Sequence, residues 1–223
     1  MTDNIERRRR YEECQQQVLN YQGQFPDVPT MTSEQLVEIL QGTESSNLTI
    51  VDVRTAEEQA VSKIPGAIPL HELQIQPNPN DEDQIAVYCT VGYRSGREAR
   101  RLQETHPQWK GKIFNLDGIL AYSFVEGAPS LVTTTATAIT SGDATTTTTT
   151  TTTSNPKPTK RIHTYGPIWN CANPDYEAVW FQKTSFVGHV CQTVCCSVGR
   201  MCQHYASVCR ISRSKRESRD SLQ

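Results

Sequence analysis

The sequence predicts an α/β fold in which a mainly parallel central sheet is covered by helices on both faces, followed by a disordered threonine-rich linker and a tail. Two observations carry this. Between Thr49 and Phe124, short apolar runs alternate with helix-prone segments, the spacing of strands joined by crossover helices in a three-layer fold. After Leu131 the composition turns abruptly to threonine, serine, alanine and glycine, with an unbroken threonine run over Thr145–Thr153. Such a stretch holds too little apolar surface to offset the entropy of ordering it.

Taken in order, residues 3–22 are polar and rich in helix formers, with Val18, Leu19 and Tyr21 as the apolar anchors. They predict a solvated N-terminal helix within an extension over 1–25. Pro26 and Pro29 interrupt it. Thr32-Ser33-Glu34-Gln35 then offers a hydroxyl cap with Gln three residues on, predicting a helix through Leu36, Val37, Ile39 and Leu40 to Gly42. Next come an apolar run over Thr49–Val53, a helical stretch over Thr55–Ala60, a short apolar run over Ala67–Leu70 and a buried-strand candidate over Ile85–Cys89. Ser95–Thr105 is charged and helix-prone, Lys112–Leu116 strand-like, and Gly118–Phe124 a brief apolar helix. The domain is therefore expected over 26–131 and the linker over 132–160. An aromatic segment over 161–186 should dock on the domain, because Tyr165, Trp169, Tyr176, Trp180 and Phe181 carry too much apolar surface to leave in water. The tail over 187–223 is rich in cysteine, then basic. A mucin-like glycosylated stalk is the other reading of the threonine tract, and it would need a secretion signal.

With 22 basic and 24 acidic residues in 223, the formal net charge is −2, so no chain-wide field recruits nucleic acid or an anionic membrane. No run reaches the roughly 18 apolar residues of a spanning helix, and the N-terminus lacks the apolar run of a signal peptide. The expectation is a cytoplasmic protein without a membrane span. Arg7–Arg10 would suit an organellar transit peptide, but Asp3, Glu6, Glu12 and Glu13 surround it, and such peptides avoid acids. In a reducing compartment the eight cysteines read as thiols, ligands or catalysts rather than structural disulfides.

The chemistry concentrates where the strand ending at Tyr88-Cys89 meets Thr90-Val91-Gly92-Tyr93-Arg94-Ser95-Gly96 and a following helix. In a parallel sheet this junction lies at the carboxyl edge, where ligands collect. A loop wrapping onto a helix N-terminus turns N–H groups inward and forms an anion cradle, and Gly92 and Gly96 permit the backbone angles it needs. A free thiol of pKa about 8.5 is only slightly ionised at neutral pH. The cradle and Arg94 both favour the thiolate, and a helix terminus alone can contribute up to about 2 kcal/mol. Cys89 is thereby a competent nucleophile without a neighbouring histidine. A buried strand-end cysteine is the bland alternative, which the conjunction of glycines, arginine and helix outweighs.

The loop YCTVGYRSG resembles the active-site loop of the rhodanese family, Cys-x-x-Gly-x-Arg-Ser. VDVRTAEEQAVSKIPGAIPL is similar to its upstream Asp-x-Arg and Ile-Pro-Gly-Ala elements, and FNLDGILAYSFVEGAP to its closing strand and helix. The resemblance covers roughly Pro29 to Leu131. It implies a rhodanese-like three-layer fold and ping-pong sulfur transfer without a cofactor or metal. Cys89 would take the outer sulfur of a small anionic donor such as thiosulfate, or of a persulfide, and pass it to cyanide, a thiol or a protein acceptor. By the same resemblance, the amides of Thr90, Val91, Gly92, Tyr93, Arg94 and Ser95 hold the persulfide and Arg94 the anionic donor. Asp52 and Arg54 look like the family's structural pair beneath the loop. Related phosphatases resemble His-Cys-x5-Arg, a larger loop; here only Thr90 to Tyr93 separate Cys89 from Arg94, which suits a sulfane sulfur. Gln59 stands where the family often has an aromatic, Ser62-Lys63 replace Gly-His, and Thr90 stands where many thiosulfate users carry arginine. These departures bear on donor access and leave open a catalytically quiet module that acts in partner binding or regulation.

Three secondary features remain. Cys191, Cys195, Cys196, Cys202 and Cys209, with His189 and His204 nearby, read as part of an apolar helical stripe, as redox or lipidation sites, or as a metal site lacking Cys-x2-Cys spacing. Arg97, Arg100 and Arg101 either widen the positive approach to Cys89 or form a solvated face. His163 and Tyr165, in HTYGPIW, are similar to extensions of some single-domain rhodaneses and are expected to dock rather than catalyse.

Overall fold

The structure, a computed structural model, describes residues 2–42, 47–133, 156–166 and 169–181. It contains helices α1 (Thr2–Gln22), α2 (Ser33–Gln41), α3 (Ala56–Val61), α4 (Tyr93–Thr105) and α5 (Ile119–Tyr122). The strands are β1 (Thr30–Met31), β2 (Leu48–Asp52), β3 (Ile68–Pro69), β4 (Gln84–Tyr88), β5 (Ile113–Leu116), β6 (Val132–Thr133), β7 (Lys157–Pro158), β8 (Arg161–His163) and β9 (Glu177–Val179). The first five strands form one sheet in the order β1-β5-β4-β2-β3, every pairing parallel. This is the helix-covered parallel sheet the sequence predicts.

Local chemistry explains where the helices begin. Thr32 and Thr55 each accept from the third residue onward, and Gln35 and Glu58 reach back to the caps, so α2 and α3 both start with complete capping boxes. The central strands β2 and β4 pair over Leu48–Asp52 and Gln84–Tyr88. Their apolar runs are buried because helices cover both faces: Ile50, Ala86 and Tyr88 face one core, and Val51, Ile85 and Val87 the other.

Helix α1 departs from the solvated helix expected. Cys14, Val18 and Tyr21 are buried, at i, i+4 and i+7 on one face, and Phe25 continues the stripe past the helix end. Cys14 packs as a small hydrophobe and completes a stripe that Val18 and Tyr21 alone did not reveal. Leu19, also expected as an anchor, is exposed. The charged face is laced by Arg8–Glu12, Arg9–Glu6, Arg9–Glu13 and Arg10–Glu6 pairs.

The expected linker is structured at both ends. β6 pairs antiparallel with β7, and Lys63 and Val132 exchange backbone hydrogen bonds. Residues 134–155 lie outside the described residues. Beyond them β8 and β9 pair in parallel, and Trp169 stacks on Tyr21 with centroids 5.9 Å apart. Of the aromatic cluster, Tyr165, Trp169 and Tyr176 pack against the domain, while Trp180 and Phe181 are exposed. The chain divides into a unit formed by Met1–Trp180 and another formed by Phe181–Gln223. Of the second only Phe181 is described, so the cysteine-rich tail and its metal, redox and stripe readings lie outside the described residues. Among the described residues no helix is long and apolar enough to cross a membrane.

Candidate active site

Strand β4 ends at Tyr88, and Cys89 begins the loop at the carboxyl edge of the sheet. Gly92, at φ 91°, is the left-handed cap of α4; a side chain there would be strained. The loop is held from beneath: Ile119 N–H donates to Cys89 O at 2.9 Å, Leu120 N–H to Thr90 O at 3.3 Å, and Asn115 Nδ2 to Gly92 O at 3.0 Å. A Cβ on Gly118 would come within 2.5 Å of Thr90 O, so only glycine lets the β5–α5 connection pass this close.

Cys89 is 2% exposed. The Ser95 hydroxyl lies 3.5 Å from its Sγ and 2.7 Å from Asn115 Oδ1, and the Ser95 and Val91 amides favour the thiolate. Burial opposes ionisation more strongly than any other single influence. The Arg94 charge, the Ser95 hydroxyl and the two amides together outweigh it, so the thiol titrates below its ordinary value. The sulfur is buried, with the Ser95 hydroxyl as its hydrogen-bond partner.

Arg94, expected from the resemblance to hold the anionic donor, is engaged by Glu58. Its Nη1 and Nη2 each donate to a Glu58 carboxylate oxygen at 2.8 Å, and Nη2 also donates to Thr90 Oγ1 at 3.2 Å. Burial opposes the Glu58 carboxylate, but Arg94, His163 and the Thr55 amide hold its pKa far below the ordinary range. His163 Nδ1 lies 3.2 Å from Glu58 Oε1, and the Arg94 guanidinium carbon lies 4.9 Å from the Tyr165 ring centroid. The other suggested loop residues surround the same point: Thr90 and Val91 are buried, and Tyr93 packs between Tyr21 and Phe25.

Asp52 and Arg54 form a buried ion pair at 2.7 Å, and Arg54 Nη2 donates to Ser62 O at 2.6 Å. Tyr88 joins them, donating its hydroxyl to Asp52 Oδ2 at 2.7 Å and accepting from Ile64 N–H at 3.1 Å. Gln59, in the place of the family's aromatic, donates to Asp52 O and Arg54 O. Arg100 pairs with Asp27 and Arg101 with Glu98, so both belong to a charge-paired helix face rather than to the site. Sequence reasoning gave no site role to Glu58, Asn115 or Tyr88. Glu58 lies in the stretch read as helical, but nothing local signalled its reach to Arg94, 36 residues away.

Residues 33–121 match the model of the rhodanese-like domain. A sulfurtransferase of Allochromatium vinosum is 35% identical over 101 residues, spanning 43% of this chain and 89% of the relative. The chain belongs to the rhodanese-like domain family. Among solved structures it is similar to a rhodanese-like domain protein from Staphylococcus aureus, at 25% identity over 46% of this chain and 97% of that one, TM-score 0.35. A protein from Staphylococcus saprophyticus is 27% identical, covering 46% and 99% of the two chains, TM-score 0.35.

Proposed function

We propose that the protein is a sulfurtransferase that carries sulfane sulfur as a persulfide on Cys89. One observation carries the reading: a thiol just past a strand end has the Ser95 hydroxyl 3.5 Å away, and the Arg94 charge with that hydroxyl and the Ser95 and Val91 amides lowers its pKa despite its burial. The thiolate would attack the outer sulfur of the donor. With thiosulfate the S–S bond breaks, sulfite leaves with the electron pair, and the Cys89 persulfide remains; with a low-molecular-weight persulfide the leaving group is the parent thiolate. An acceptor thiolate or cyanide then takes the outer sulfur and restores the Cys89 thiolate. Amides of Thr90 to Ser95 are suited to holding the terminal sulfur's charge, and Arg94 to steadying it from within its Glu58 pair. The Asp52–Arg54–Tyr88 network fixes the floor beneath. Cys14, Cys89 and Cys171 are free thiols, which suits a cytoplasmic setting; cell fractionation tests that location.

The experiment is mass spectrometry after incubation with thiosulfate or glutathione persulfide. The expected result is one added sulfur atom on the peptide containing Cys89, lost on treatment with cyanide and absent from Cys89→Ser. Wild-type protein that gains no labile sulfur from either donor refutes the reading. A second reading, a quiet module acting through partners, is favoured by the near-complete burial of Cys89, and that negative result would leave it standing.

A further inference from the structure

A serine hydroxyl carries one hydrogen and donates one full bond at a time. Ser95, fully buried on α4, faces two acceptors: its Oγ lies 2.7 Å from Asn115 Oδ1 and 3.5 Å from Cys89 Sγ. Asn115, on β5, is buried as well and held from two sides. Its backbone N–H donates to Pro29 O at 2.8 Å, and its Nδ2 donates to Gly92 O at 3.0 Å. The bond to Gly92 settles which way the amide points, because turning it over would set oxygen against oxygen. Oδ1, which can only accept, therefore faces Ser95. While Cys89 is a neutral thiol, the shorter contact keeps the hydrogen on the Asn115 side, and Ser95 Oγ is free to accept from the thiol. A thiolate can only accept, and a charged acceptor draws a hydroxyl more strongly than an amide oxygen does. The hydroxyl then turns about its Cβ–Oγ bond, with no covalent bond made or broken. Asn115 Oδ1 loses its donor in a buried site, so part of the stabilisation of the thiolate is lost again there.

We propose that Asn115 is a positioning residue for Cys89: its side-chain oxygen competes with the sulfur for the Ser95 hydroxyl, holding it while the sulfur is uncharged and yielding it to the thiolate. The attacking thiolate holds the hydrogen. In the Cys89 persulfide the charge has moved to the outer sulfur, and the hydroxyl returns to Asn115. As an acceptor takes the outer sulfur, the thiolate forms again and draws the hydroxyl back.

This place in a reaction cycle rests on Cys89 being the sulfur carrier, so the test reads ionisation apart from transfer. Wild type, Asn115→Ala, Ser95→Ala and the double variant, all as full chains, make up a double-mutant cycle. The readouts are the pH profile of Cys89 alkylation by iodoacetamide, followed by peptide mass spectrometry, and ultraviolet thiolate absorbance with Cys89→Ser as the blank. Freeing the hydroxyl should move the Asn115→Ala profile to lower pH by about half a unit to one unit, the net effect of one hydrogen bond. Ser95→Ala should move it to higher pH, and adding Asn115→Ala to Ser95→Ala should change little. Arg94, Tyr21 and Tyr165 are titratable groups whose charges bear on Cys89, and all are kept throughout the cycle. A merely structural role, through the lost bond to Gly92 O, would shift the profile equally with and without Ser95. Asn115→Leu, of similar shape, keeps the test valid if the cavity left by alanine unfolds the domain, and thermal melts check folding. An unmoved or raised profile in the folded Asn115 variants, or equal shifts with and without Ser95, overturns the inference. If the cycle comes out as expected but the wild type gains no labile sulfur, the competition for the hydroxyl stands and the sulfurtransferase reading fails.

Discussion

Gly118→Ala should damage this protein more than its size suggests. Gly118 has φ 106° and ψ 168°, a region that only glycine occupies readily, and forcing alanine there costs about 1–3 kcal/mol. The new Cβ would lie 2.5 Å from Thr90 O, 2.7 Å from Thr90 C and 2.9 Å from Val91 N. These are backbone atoms of the Cys89 loop and cannot rotate away, so overpacking adds about 1–3 kcal/mol. The total, about 2–6 kcal/mol, is comparable to the whole stability of a marginal domain. Gly66→Ala is the matched control: its φ is 77° but nothing lies within 4 Å of the added Cβ, leaving only a conformational cost of about 1–2 kcal/mol. Urea denaturation of both variants isolates the clash as their difference. Because the clash pushes on Thr90 and Val91, Gly118→Ala should also slow sulfur loading of Cys89 under conditions where it remains folded. Equal destabilisation of the two variants, with unchanged loading, would refute the idea that this close passage holds the loop.

Tyr88→Phe should cost about 1–3 kcal/mol in urea denaturation, because it strands the buried Ile64 N–H and removes one of the bonds to Asp52 Oδ2, which keeps its bonds from Arg54. Arg94→Lys keeps the charge but loses the two-pronged bond to Glu58, so the pH profile of Cys89 alkylation should move to higher pH; an unmoved profile would show that the guanidinium does not tune the thiol. Two buried carboxyls pull stability in opposite directions. Burial pushes Asp117 up to about 7 against its bonds from Ser33. Its protonated form favours the fold, so stability should decline as pH rises from about 4 towards 7, by on the order of 4 kcal/mol at most; Asp117→Asn should flatten that decline. Glu58 is held low, so its contribution is present above about pH 4.5 and fades as the medium is acidified. Chemical denaturation across pH 3–8 reads both.

The central strands were legible as short apolar runs over 49–53, 85–89 and 112–116, and α2 from its cap at Thr32 and its stop at Gly42; the two-residue β1 left no such run. Cys89 and its loop were legible from spacing. What escaped were contacts between segments far apart in the chain. Glu58 reads as one more residue of a helical stretch until Arg94 arrives from another loop. Cys14 looks like one more polar position until Val18 and Tyr21 are seen on its side of the helix. Tyr165 reads as a docking aromatic, and its place over Arg94 gives it a specific neighbour. Long-range partners leave no periodic trace, so local reasoning cannot reach them.

The segment just after helix α1 fits where α4 lacks a side chain. A Cβ on Gly96 would collide with the Phe25 ring, and Tyr21 stacks with Trp169 from the far end of the unit. A fragment trimmed to the matched family residues 33–121 would leave that notch empty and uncover the apolar surface beneath it. Expression of such a minimal piece should yield a sticky, poorly behaved product. Intact production needs the chain from its first helix through Trp180.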